Sequence, residues 1–76
     1  MARICVLGGG LVGRFVACTL DERGHSVRVV DADDLVGIST NIEVIQAYVN
    51  PDQLDEFIAG FDVVVNCLPG RIGHAV

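Results

Sequence analysis

The apolar positions of this chain fall into short runs separated by turns rich in glycine and aspartate, and their period changes from run to run. Ile4 to Leu7 is an unbroken apolar run ending at glycine, the pattern of a strand buried on both faces of a parallel sheet. From Leu11 to Arg23 the period becomes helical. Val12, Phe15, Val16, Thr19 and Leu20 recur at three- and four-residue spacing and predict one packing face. Gly24 is the expected stop, with Arg23 in the last turn beside the negative end of the helix dipole. Ser26 to Val30 predicts a second strand ending at Asp31.

Residues 32–41 (ADDLVGISTN) show no clear period; Asp33 suits a helix cap, but Gly37 and the β-branched residues oppose a helix there. Ile42 to Ala47 predicts a third strand, reaching at most Val49. Asn50 as N-cap, Pro51 at the first helical position and Asp52 in the first turn then predict a helix through Leu54, Phe57 and Ile58 to a stop at Gly60. Phe61 to Cys67 is the fourth expected strand, and Val63-Val64-Val65 is the strongest β signal in the chain. Leu68-Pro69-Gly70 leaves the sheet, and residues 71–76 are expected to open another helix.

Strands alternating with helices through short connections imply right-handed crossovers and a parallel sheet. With 76 residues, the chain reads as half of a doubly wound domain and hence as a fragment. Its three cysteines, Cys5, Cys18 and Cys67, sit in apolar runs with no C-x-x-C spacing. They predict buried reduced thiols rather than a disulfide framework or zinc site, and so a cytoplasmic setting. No apolar stretch approaches the roughly 20 residues of a membrane span. A net charge of −5 with scattered arginines argues against nucleic acid as a partner. The chain contains no lysine, which excludes a P-loop lysine and Schiff-base chemistry within it.

The candidate chemistry lies between the first strand and the first helix. Gly8, Gly10 and Gly13 form G-x-G-x-x-G, written GGGLVG. The motif is weak alone, but here it follows an apolar strand and opens an amphipathic helix, the setting of a dinucleotide-binding turn. Gly8 allows the tight turn, Gly10 allows a pyrophosphate to approach the backbone, and Gly13 allows close packing of the helix. The N–H groups near Leu11 and Val12, with the helix dipole, are expected to meet the phosphate charge. Asp31 follows Gly13 by 18 residues and is placed to accept hydrogen bonds from the adenosine ribose. Its charge opposes a 2′-phosphate, and Ala32, Asp33 and Asp34 bring no cation to offset it, so NAD is expected over NADP. The fold class is therefore a Rossmann-type α/β sheet of order 3-2-1-4 in three αβα layers. In that order Asn66-Cys67-Leu68-Pro69-Gly70 lies beside the cofactor crevice, which adds Cys67, Leu68 and Pro69 to the candidate cofactor residues. His25 reads as a surface turn residue, and His74 as a weak catalytic candidate. No residue is assigned to catalysis or to a metal.

VLGGGLVGRFVACTL, RGHSVRVVDAD and FDVVVNCLPGRIGHAV together resemble the opening of the saccharopine dehydrogenase-like oxidoreductases. The LPG-x-x-G turn of Leu68, Pro69, Gly70 and Gly73 looks most like the lysine dehydrogenase branch. The resemblance implies that residues 1–76 are the N-terminal part of an NAD(P)-binding domain. It further implies hydride exchange with a nicotinamide, at a carbon–nitrogen bond of an amino acid or its adduct held by a further domain. A homodimer is the assembly considered. Two departures stand out: the stretch after Asp31 is short, and Tyr48 follows the third strand where a small or acidic residue is common. A nucleotide-sensing regulatory module of a potassium-uptake system, without catalysis, is the alternative reading.

Overall fold

The computed structural model describes residues 1–68. The expectations for Pro69, Gly70, Gly73, His74 and a helix over 71–76 lie outside the described residues. The elements run β1 (Arg3–Leu7), α1 (Leu11–Glu22), β2 (Ser26–Asp31), β3 (Glu43–Gln46), α2 (Leu54–Ile58) and β4 (Val63–Asn66). The four strands form one sheet in the order β3-β2-β1-β4, as the alternation predicts, and every pairing is parallel.

Register brings the carboxyl ends of the strands level. Leu7 lies opposite Val30 on one side and Asn66 on the other, while Asp31 faces Gln46. The two central strands are buried from both sides, which is why β1 is apolar without alternation. Ile4, Val6, Val27 and Val29 pack with Ala17 of α1, Leu35 and Ile42 on one face. Cys5, Leu7 and Val30 pack with Leu54, Phe57, Ile58 and Phe61 on the other. The helices thus cover opposite faces, giving three layers. At the amino ends of the strands, the Phe61 ring lies 4.7 Å from the Arg3 guanidinium and 4.6 Å from that of Arg28. Arg28 also pairs with Glu43 at 2.6 Å and donates to the Phe57 carbonyl at 2.9 Å, tying the end of α2 to the sheet.

Three expectations are corrected. The buried residues of α1 are Gly13 and Ala17, with Val16 and Leu20 partly covered, whereas Val12 and Phe15 are exposed. The helix presses its smallest side chains on the sheet, so the contact face is rotated away from the one that its largest residues mark. Asn50 does accept the Gln53 N–H at 3.1 Å, but the bond closes a turn, and the helix begins only at Leu54. His25 is half-buried and accepts the Ala2 N–H at 3.1 Å, so it fastens the start of β1 rather than standing free at the surface. Gly24 and Gly60 follow the two helices at φ +87° and +81°, a backbone region that suits glycine stops.

Candidate functional site

The sheet does not end abruptly at its carboxyl edge. Gly8 N–H donates to the Val30 carbonyl at 2.8 Å, Cys67 N–H to the Leu7 carbonyl at 2.8 Å, and Ala47 N–H to the Asp31 carbonyl at 2.9 Å. Each bond carries a strand's pairing one residue onward, and the first two hold the glycine turn and the exit of β4 side by side. Sheet order reverses between β1 and β4, which is where an open parallel sheet leaves a crevice for a ligand.

An open cleft of about 400 Å³ occupies that position, lined by Gly8, Gly10, Leu11, Val12, Gly13, Asp31, Asp33 and Cys67. Seven of the ten candidate residues from the sequence therefore converge on one space. Ala32 does not line it; its carbonyl accepts from Gln46 Nε2 at 3.3 Å. Leu68 turns to the α2 side of the sheet, and Pro69 lies outside the described residues. Asp33 lines the cleft although the sequence marks it only as an acidic neighbour.

The glycines divide the work. Gly8 has φ +96°, and a Cβ there would lie 3.0 Å from the Cys67 carbonyl, so the turn needs glycine for conformation and for space. A Cβ at Gly13 would collide with the Gly8 carbonyl oxygen; the helix start rests on the backbone of the turn itself. Gly10 is exposed, and a Cβ there would meet nothing within 4 Å. Its bareness serves no internal packing and leaves the backbone approachable from the cleft. Arg14 N–H, donating to Gly10 O at 2.8 Å, is the first donor of the α1 ladder, so the N–H groups of Leu11, Val12 and Gly13 belong to the first turn that lacks helical acceptors. Such donors, with the helix dipole, suit a phosphate.

Gly9 is the position that sequence reasoning missed. It is buried, and a Cβ on it would lie 2.5 Å from Leu35 Cδ1. Leu35 comes from the aperiodic stretch after Asp31, which folds back over the turn; Arg14 Nη1 holds that stretch by donating to the Val36 carbonyl at 2.9 Å. The only hint in the sequence is the short apolar pair Leu35-Val36 in a stretch without a period. Gly9 N–H also donates to Asp31 Oδ2, while Asp33 N–H donates to Asp31 Oδ1 at 2.8 Å. A negative carboxylate thus sits next to a turn of backbone donors, an arrangement that can take up a ribose diol and an adjoining diphosphate together.

Cys5, Cys18 and Cys67 are free thiols, with Cys5 fully buried. Among the described residues no His, Cys, Asp and Glu cluster suits a metal ion, and no helix is long and apolar enough to cross a membrane.

Comparison with known proteins bears on the same segment. The chain is 50% identical over 34 residues to a ubiquinone hydroxylase, UbiL, of Rhodospirillum rubrum, and 49% identical over 37 residues to a KsdD-like steroid dehydrogenase of Mycolicibacterium smegmatis. These matches cover 45% and 49% of the chain but only 8% and 7% of the two relatives. The model of the NAD(P)-binding Rossmann-like domain matches residues 6–67, from within β1 to just past β4. A parallel sheet of order 3-2-1-4, a glycine turn at its reversal point and that match agree: the chain belongs to the NAD(P)-binding Rossmann-like domain family.

Proposed function

We propose that the chain is the ADP-binding start of an oxidoreductase's cofactor domain, and that it takes an adenine dinucleotide with a free ribose 2′-hydroxyl, NAD being the first choice. The observation that carries this reading is the Asp31 carboxylate fixed against the glycine turn. Gly10 gives the diphosphate access to the backbone, the N–H groups of Leu11, Val12 and Gly13 face its charge, and Asp31 accepts the ribose hydroxyls. Asp33 adds a second negative charge at the ribose end, against a 2′-phosphate. When bound, the nicotinamide accepts or donates a hydride; these residues hold the other half of the molecule.

FAD shares the ADP half and is the second reading. One relative is a hydroxylase, and oxygen insertion is chemistry of flavins and metals rather than of a nicotinamide alone. The finer assignment, a saccharopine- or lysine-type dehydrogenase acting on an amino acid, is supported by the sequence of the turn that begins at Asn66. Calorimetric titration of the full chain with NAD, NADP and FAD tests the reading. NAD or FAD is expected to bind in the micromolar to millimolar range, with NADP about tenfold weaker or more. Absence of binding by all three overturns it.

A further inference from the structure

We propose that Asp31 is a positioning residue for the glycine turn as well as the ribose acceptor, so that rejection of a 2′-phosphate is built into the ligand-free protein. The inference rests on the dinucleotide reading above and deepens it. Both carboxylate oxygens of Asp31 are engaged within the chain: Oδ2 accepts the Gly9 N–H and Oδ1 accepts the Asp33 N–H. The two donors come from different segments, one from the turn after β1 and one from the stretch after β2. The residue's own backbone is fixed too, since its carbonyl accepts the Ala47 N–H at 2.9 Å.

A carboxylate held this way cannot rotate aside for a bulky anion without releasing both donors. Gly9 in turn cannot follow it. A Cβ on Gly9 would lie only 2.5 Å from Leu35 Cδ1, which shows how closely Leu35, itself in the core, is seated against this glycine. Arg14 of α1 donates from Nη1 to the Val36 carbonyl of this stretch at 2.9 Å, while Asp33 and Asp34 add negative charge to it. Asp31 lines the cleft, and its two oxygens keep lone pairs beyond those used by the two N–H groups, to which a ribose diol can donate. Charge removal alone therefore does not convert the site to NADP, because the same carboxylate shapes the turn that holds the diphosphate.

Asp31→Asn separates this from simple repulsion. The amide keeps the shape and drops the charge, but it offers one acceptor oxygen to two N–H donors, so one side of the clamp opens. The experiment measures NAD and NADP binding by calorimetry, together with hydrogen exchange of the Gly9 amide, on ligand-free wild type and variant. In wild type the Gly9 amide is expected to be protected without ligand. In D31N it exchanges about tenfold faster or more, NAD affinity falls about tenfold, and NADP affinity stays within about threefold of its wild-type value, as loss of one charge-assisted bond implies. An unprotected Gly9 amide in wild type overturns the clamp even if the variant fails to fold. So does a D31N protein whose NADP affinity rises about tenfold or more while its NAD affinity stays at the wild-type value, the result that simple charge repulsion gives. Either result leaves the dinucleotide reading standing, whereas a wild-type chain that binds no dinucleotide removes both.

Discussion

A Cβ placed on Gly13 would run into the carbonyl oxygen of Gly8. The third glycine of the motif is thus required by the first, and the obstacle is backbone, which cannot step aside as a side chain can. Gly13→Ala is expected to cost about 2–3 kcal/mol, the upper range for overpacking a tight site. Thermal unfolding of the variant reads this loss directly, and a melting point equal to wild type would contradict the contact.

Gly10 makes the opposite case. Its φ of −67° suits any residue, and a Cβ there meets open space. Gly10→Ala is expected to leave stability within about 1 kcal/mol of wild type. Dinucleotide affinity should nevertheless fall, because the added methyl enters the space where the diphosphate approaches. Paired melting and titration curves check the split, and undiminished affinity would remove the role assigned to Gly10.

Leu35 links the stretch after β2 to the turn after β1. Leu35→Ala empties the space below Gly9 and is expected to destabilise the fold by about 2 kcal/mol or more. Denaturant titration measures the loss.

Burial pushes the Cys5 thiol above its ordinary value of 9.0; nearby Arg28 works against that rise and Glu43 adds to it. The folded state therefore keeps the proton longer than the unfolded chain does. The sign follows from linkage: the contribution is fully present below the unfolded value near pH 9 and is lost as pH rises through the higher folded value. Cys5→Ala removes this group, so wild type is expected to lose stability more steeply than the variant from about pH 9 upward. Parallel slopes in pH-dependent unfolding would contradict it.

Most of the fold was legible because buried parallel strands advertise themselves. Ile4–Leu7 and the apolar residues of Ser26–Asp31 suit a sheet covered on both faces, while the three valines of β4 signal a strand by β propensity although Val63 and Val64 are exposed at the sheet edge. The glycine turn and Asp31 were legible because backbone conformation and charge restrict the residue types at those points. The orientation of α1 was not. Hydrophobic periodicity points to Val12 and Phe15, but close approach to the glycine turn selects Gly13 and Ala17, and smallness leaves no hydrophobic signal. The role of Gly9 was hidden for a related reason: it depends on Leu35, 26 residues away, arriving through a stretch without period. Nor could spacing reveal that Asp31 bonds the turn before any ligand does.

The central claim is that the cleft between the ends of β1 and β4 receives the ADP half of a dinucleotide. Amide chemical-shift mapping of the full chain during titration with NAD tests it most directly. The expected result is saturable shifts concentrated at Gly8 to Gly13, Asp31, Asp33 and Cys67. Saturable shifts confined to the opposite end of the sheet, around Arg3, Arg28 and Phe61, would contradict it, as would a spectrum that NAD leaves unchanged.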